Sequence, residues 1–108
     1  MSNSPGNPAT SADIDELVGQ AWSQHYHGKN AEALQEFQQL VQRWPDHIDA
    51  NYGLSLALKT AGQKQEAADA FKKTRALVEA MLTTQEDDNS RFHMLKRMID
   101  QHLANLGS

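Results

Sequence analysis

Apolar residues recur at steps of three and four along most of the chain, and glycine or proline interrupts the pattern at intervals. This spacing places apolar side chains on one face of an α-helix, and no stretch alternates with the period of two that a half-buried strand needs. Gly28 and Gly62 suit left-handed helix ends, and Pro45 cannot donate a backbone hydrogen bond inside a helix. The pattern therefore predicts an all-α fold of about five helices.

Each predicted helix has an apolar stripe, and four of the five have a polar residue suited to cap the first turn. The first stripe comprises Ile14, Leu17, Val18, Ala21, Trp22, His25 and Tyr26, and the others run over 34–44, 48–58, 67–82 and 92–106. The expected caps are Ser11 or Asp13 for the first helix, Asn30 for the second, Asp46 for the third, and Asp88, Asn89 or Ser90 for the fifth.

Two stretches of the chain resemble each other at an offset of 34 residues. The segment GKNAEALQEF begins at Gly28, and GQKQEAADAF begins at Gly62. When residues 12–45 are aligned with residues 46–79, seven places are identical, more than the roughly two or three expected by chance. The shared glycines suit turns, the alanines allow close helix approach, and the phenylalanines suit a gap between helices. The offset therefore indicates a structural repeat.

A helix–turn–helix unit of this length resembles the tetratricopeptide repeat family. The family's A-x3-F element is matched by Ala33 to Phe37 and by Ala67 to Phe71, and its closing proline by Pro45. The resemblance implies a right-handed α-solenoid of antiparallel helix pairs. The expected organisation is a flexible tail over 1–11, repeats over 12–45 and 46–80, and a helix extension with a C-terminal capping helix over 81–108.

The second copy has Glu79 where the closing proline is expected, so its second helix is predicted to continue through Met81 and Leu82. A third copy in register would need a turn glycine at Lys96, which the chain lacks. The last helix is therefore expected to cap the solenoid, because a terminal repeat otherwise leaves an apolar face in water.

The resemblance also implies where a partner binds, because the first helix of each repeat lines a concave surface in this family. The family's clamp for a C-terminal carboxylate is absent, since Val18 and Trp22 stand where its first Lys and Asn are expected. The remaining surface is apolar and aromatic, which suits an amphipathic helix or an extended apolar segment. The expected partner-binding residues are Val18, Trp22, His25, Tyr26, Tyr52, Leu56 and Lys59.

Two alternatives to partner binding stay open at this level. The chain's own last helix could fold back and fill the groove, since an aromatic residue at helical spacing is more often core than ligand site. The protein could also be a homo-oligomerisation unit, because methionines pack adaptably at such surfaces. That oligomeric seam would contain Met81, Leu82, Met94, Met98 and Leu106.

Composition and sequence motifs exclude several kinds of chemical activity and binding from the expected functions. The 108 residues include no cysteine and carry a formal net charge of -4 without a basic stripe, which argues against thiol chemistry and nucleic-acid binding. His25 and His27 lie on different helix faces, so no metal site is expected, and no phosphate loop or nucleophile motif suggests an enzyme or a cofactor. Without a long apolar run or a signal-like N-terminus, we expect a cytoplasmic protein with no membrane insertion.

Overall fold

The computed structural model describes residues 11–84 and 90–107, and these form five helices with no strand among them. The helices are α1 (Ser11–Tyr26), α2 (Asn30–Arg43), α3 (Ile48–Thr60), α4 (Lys64–Thr84) and α5 (Ser90–Asn105). Each packs against the next along the chain, and α1 also contacts α3. Short connections between packed neighbours are typical of antiparallel helix pairs, so the predicted all-α solenoid is confirmed.

The two repeat glycines end α1 and α3 with the same geometry. Gly28 and Gly62 have φ values of 79° and 82°, which an L-residue with a Cβ rarely adopts. At Gly62 the backbone N–H donates to Lys59 O at 3.0 Å, and the next N–H, of Gln63, donates to Leu58 O at 3.0 Å. Gly28 and its successor repeat both bonds, which together form a Schellman motif. The predicted left-handed stops are confirmed.

Two of the predicted helix caps are wrong by one residue. The N-cap of α2 is Lys29, whose side chain makes no capping bond, and Asn30 lies inside the first turn. The N-cap of α3 is His47, whose Nδ1 accepts the N–H of Ala50 at 3.1 Å, in place of Asp46. An imidazole nitrogen thus accepts the N-capping hydrogen bond that a side-chain oxygen of Ser, Thr, Asp or Asn usually accepts. Residues 1–10, Asp88 and Asn89 lie outside the described residues, and Ser11 already belongs to α1.

A buried asparagine holds the loop before α3. Asn51 is 1 % exposed, and its Nδ2 donates to Pro45 O at 2.9 Å and to His47 O at 2.7 Å. The two bonds satisfy carbonyls of the loop that joins the repeats, and a buried amide needs such partners. Asn51 therefore ties α3 to the loop that precedes it.

Two apolar clusters form the core: the first joins α1 and α2 to α3, and the second joins α3 and α4 to α5. Phe37 lies at the centre of the first and Phe71 at the centre of the second, and neither ring is exposed. This confirms that the repeated phenylalanines fill the gaps between helices. Leu17, although part of the first stripe, is 36 % exposed and lies on the α1–α2 side of the molecule.

The fifth helix covers the open side of the second cluster. As expected from Glu79, α4 continues past the repeat to Thr84, and α5 then packs back against it. Ile99 and Leu103 are buried in the second cluster, and an Arg75–Asp100 ion pair of 3.0 Å joins α4 to α5. On α5, His102 stacks on Phe71 with ring centroids 4.8 Å apart. Thus α5 takes the place of the first helix of a third repeat.

Candidate functional site

An open groove of about 880 Å³ lies between α1, α3 and α5. These three helices form one face of the solenoid, since α1 contacts α3 and side chains of α3 contact α5. The N-terminal half of α5 forms one wall, and α1 with the first turns of α3 forms the other. The last helix therefore lines the groove and leaves it open.

Three aromatic side chains form the α1–α3 wall. Trp22 stacks on Tyr26, with centroids 5.7 Å apart and planes 23° apart, and lies 6.2 Å from Tyr52. Its other edge meets Phe37 of the first core cluster at 5.2 Å. Trp22 is consequently half-buried and held by the core, while Tyr26 stands out from the surface with 76 % exposure. Aromatic rings held in this way are typical anchors for a partner.

The same wall carries three carboxylates, Asp15, Asp46 and Asp49. Asp49 Oδ1 accepts the indole N–H of Trp22 at 3.2 Å, which fixes the carboxylate beside the aromatic wall. Asp15 and Asp49 occupy equivalent positions in the two repeats, so the repeat itself brings them to one face. The groove is therefore acidic on this side.

The α5 wall is apolar with one cation. Met94 and Met98 are 61 % and 42 % exposed, and Phe92 and Leu95 pack between them and the second cluster. Arg91 lies at the end of this wall, with its guanidinium carbon 5.7 Å from the centroid of Phe92. Flexible thioethers facing rigid aromatic rings suit the binding of an apolar side chain.

The structure brings three of the seven predicted partner-binding residues into the groove, namely Trp22, Tyr26 and Tyr52. The expected exposure of Val18 is wrong, because its side chain is 3 % exposed within the first cluster. Leu56 packs against the second cluster. His25 meets Trp22 edge-on at 5.8 Å but does not line the groove.

Lys59, the last of the seven, does not line the groove and contacts α5. Its Nζ donates to Nδ1 of His102 at 2.9 Å, while Nε2 of the same ring lies 3.4 Å from the hydroxyl of Tyr52. Burial lowers the pKa of His102 below its usual value of 6.5, and the charge of Lys59 lowers it further. Burial also raises the pKa of Tyr52. His102 is thus a neutral acceptor that connects α5 to α3.

This contact predicts a loss of stability in acid. Because the folded state binds a proton at His102 more weakly than the unfolded chain does, stability falls as the pH drops below about 6.5. At pH values well above 6.5 the ring is neutral in both states and contributes no pH dependence. We expect urea denaturation between pH 7.5 and 5 to show a smaller loss for His102→Gln than for the wild type. An equal loss in both proteins would contradict this assignment.

None of the partner-binding residues predicted from the sequence lies on the α5 wall of the groove. Arg91, Phe92, Met94 and Leu95 have no equivalents at the 34-residue offset, because α4 is longer than α2 and shifts α5 out of register. A general rule could have indicated this wall: the helix that follows a repeat packs as the first helix of a further repeat would. Of the predicted oligomeric seam, Leu82 and Leu106 pack against the second cluster, and Met94 and Met98 line the groove.

Over residues 11–84 and 90–107, no helix is both long enough and apolar enough to cross a membrane. In the same part of the chain, no three or more His, Asp or Glu side chains come together as a metal site would require.

Comparison with known proteins identifies one family. The model of the tetratricopeptide repeat matches residues 18–80, more than half of the chain and nearly all of the two repeats. No curated protein and no solved structure matches the chain.

Proposed function

Because this chain belongs to the tetratricopeptide repeat family, whose repeats generally mediate protein–protein interaction, we propose that it is an adaptor or assembly factor. In this proposal a segment of another protein lies in the groove between α1, α3 and α5. The family is typically non-catalytic, and the chain acts by binding. The observation that carries the proposal is the open groove, lined by anchored aromatic rings on one side and exposed methionines on the other.

The distribution of exposed apolar side chains supports this location. Four large apolar residues in the described part of the chain are exposed: Leu17, Tyr26, Met94 and Met98. Three of the four line the groove, and only Leu17 lies elsewhere. Scattered apolar residues are normal on a protein surface, whereas a contiguous apolar patch rimmed by polar groups marks an interaction site. Most of the exposed large apolar side chains therefore lie together on the face that contains the groove.

The geometry of the groove suits a segment that inserts apolar side chains between its two walls. Trp22 packs edge-on against the buried ring of Phe37, so the aromatic wall is already fixed before a partner binds. Side chains fixed in this way lose little conformational entropy on binding. Opposite it, Met94 and Met98 can change rotamer to fit the inserted side chain. An amphipathic helix or an extended segment with spaced apolar residues meets both requirements.

The test is the double substitution Tyr26→Ala with Met94→Ala, both at exposed side chains whose loss leaves the core intact. We expect tagged variant protein to capture specific partners from a lysate at least fivefold less than the wild type, by quantitative mass spectrometry. Leu17→Ala removes the fourth exposed apolar side chain, which is 36 % exposed and lies away from the groove, and this variant is expected to capture as the wild type does. Equal capture by all three proteins, with unchanged circular dichroism, would contradict binding in this groove.

The same variants separate this proposal from the homo-oligomer alternative. Two of the five seam residues, Leu82 and Leu106, already pack against the second cluster and have little surface left to offer a second copy. A monomer in light scattering at high concentration supports the adaptor. A dimer that the double substitution dissociates would instead assign the groove to self-association.

A further inference from the structure

The charges around the groove indicate what kind of segment it takes, and this step rests on the proposed function. We propose that the partner segment presents an arginine between apolar side chains. Its guanidinium pairs with Asp49 and lies against the exposed ring of Tyr26. Its apolar neighbours enter between the aromatic wall and Met94 and Met98.

The first argument is charge. Three carboxylates and one guanidinium line the groove, and the carboxylates all belong to the α1–α3 wall while Arg91 lies on the other. The ion pairs within residues 11–84 and 90–107 involve Arg75, Glu79, Lys96 and Asp100, on the α4–α5 side. The groove carboxylates take no part in these pairs. With three carboxylates and one guanidinium, the groove carries an excess of negative charge that a cation from outside would meet.

The second argument is the position of that charge beside aromatic faces. The indole N–H of Trp22 holds one oxygen of Asp49 at 3.2 Å, and Tyr26 stacks on the same indole. A carboxylate oxygen accepts more than one hydrogen bond, so Asp49 can receive a partner's N–H groups without losing Trp22. Tyr26, whose side chain is 76 % exposed, lines the same groove and offers an aromatic ring to such a cation.

These two features together favour arginine over lysine. A guanidinium is planar, stacks on aromatic rings and donates two parallel hydrogen bonds to one carboxylate. An ammonium is more strongly hydrated and donates from a single point, so it gains less from a flat ring beside a carboxylate. The apolar residues of the segment follow from the opposite wall, where the exposed methionines offer no polar partner of comparable strength.

Three synthetic peptides test the proposal against the full chain. Each is a twelve-residue, acetylated and amidated amphipathic helix with leucines on one face and two central polar positions, occupied by arginine, glutamine or glutamate. We expect isothermal titration calorimetry at low salt to show the arginine peptide binding about tenfold more tightly than the glutamine peptide. The glutamate peptide is expected not to bind, and added salt is expected to weaken the arginine peptide most.

The protein variants locate the charge. Asp49→Asn keeps an oxygen that accepts the indole N–H of Trp22 and removes only the charge, so we expect about fivefold weaker binding of the arginine peptide with unchanged thermal stability. Asp69→Asn is the control, since Asp69 is an exposed residue of α4 outside the groove, and its effect is expected to stay within twofold.

Equal binding of the arginine and glutamine peptides, or an Asp49→Asn variant that binds as the wild type does, would overturn the arginine proposal. Tighter binding of the glutamate peptide would overturn it in favour of Arg91 as the charge that is read. Binding of none of the three peptides would overturn it too. Partner capture by the Tyr26 and Met94 variants is a separate measurement, so failure of groove binding itself is recognised independently.

Discussion

Replacing Gly53 by alanine is expected to lower the free energy of unfolding by about 1–2 kcal/mol, although alanine is the better helix former. In a free helix this change stabilises by about 1 kcal/mol. Here a Cβ would overlap the ring of Phe37, which is fully buried and meets Trp22 edge-on. Overpacking a closed core costs about 1–3 kcal/mol, and a side-chain overlap with a ring that cannot move outward lies at the upper end.

The first repeat supplies the matched control at the equivalent position. A Cβ on Gly19 meets no atom within 4 Å, so Gly19→Ala is expected to raise the free energy of unfolding by about 0.5–1 kcal/mol. Urea denaturation of both variants measures the opposite signs. A stabilised Gly53→Ala protein would contradict close packing of α2 on α3. A double variant with Phe37→Leu should show a favourable coupling, because the smaller side chain leaves room for the methyl group.

The opposite expectations at two identical residues show what a repeat in the sequence does and does not specify. Phe37 of the first repeat packs on Gly53 of the second, so this contact lies between repeats. Gly19 has no repeat before it in the described residues and lacks such a contact. The offset of 34 residues predicts the helices and their order from the sequence alone. The offset does not predict which of the two equivalent glycines, Gly19 or Gly53, packs against a phenylalanine ring.

The elements predictable from sequence were those with one strong local cause. Gly28 and Gly62 ended helices as expected, because a positive φ excludes most other residues. The N-caps of α2 and α3 were each displaced by one residue, since several polar side chains near a helix start can serve. The conformation of a single glycine decides where these helices end, whereas competition between neighbouring polar side chains decides where they begin.

The site was harder to predict because burial depends on neighbours far along the chain. Val18 and Tyr52 occupy the same place in the two repeats and both belong to core clusters, but only Tyr52 also lines the groove and reaches His102. A short β-branched side chain stops at the helix interface, whereas a phenol extends past it. The size of the side chain at an equivalent position therefore decides whether it extends from the core to the groove, and a repeat alignment does not weigh size.

The candidate site is thus built where the repeats differ from each other and from α5. Trp22 replaces the leucine of the second copy and adds an indole N–H that orients Asp49. Helix α5 then supplies the facing wall without copying either repeat. The repeated residues hold the framework rigid, and the unrepeated ones give the groove its chemistry.

Because α5 provides that wall, its attachment should govern both stability and the groove, and Ile99→Ala is the direct test. Ile99 is fully buried in the second cluster, so its truncation removes buried methyl groups and leaves a cavity. We expect the free energy of unfolding to fall by about 2–4 kcal/mol. That is a large share of the roughly 5–15 kcal/mol that keeps a domain folded. Urea denaturation followed by circular dichroism measures it.

The adjacent residue provides the control, since Met98 is on the same turn of α5 but is 42 % exposed toward the groove. Met98→Ala is expected to change the free energy of unfolding by less than about 0.5 kcal/mol, because exposed side chains contribute little. Equal losses in the two variants would mean that α5 is not fixed by its buried face. If only Ile99→Ala destabilises, α5 is a structural part of the solenoid, and the groove wall is held in place by the core of the second repeat.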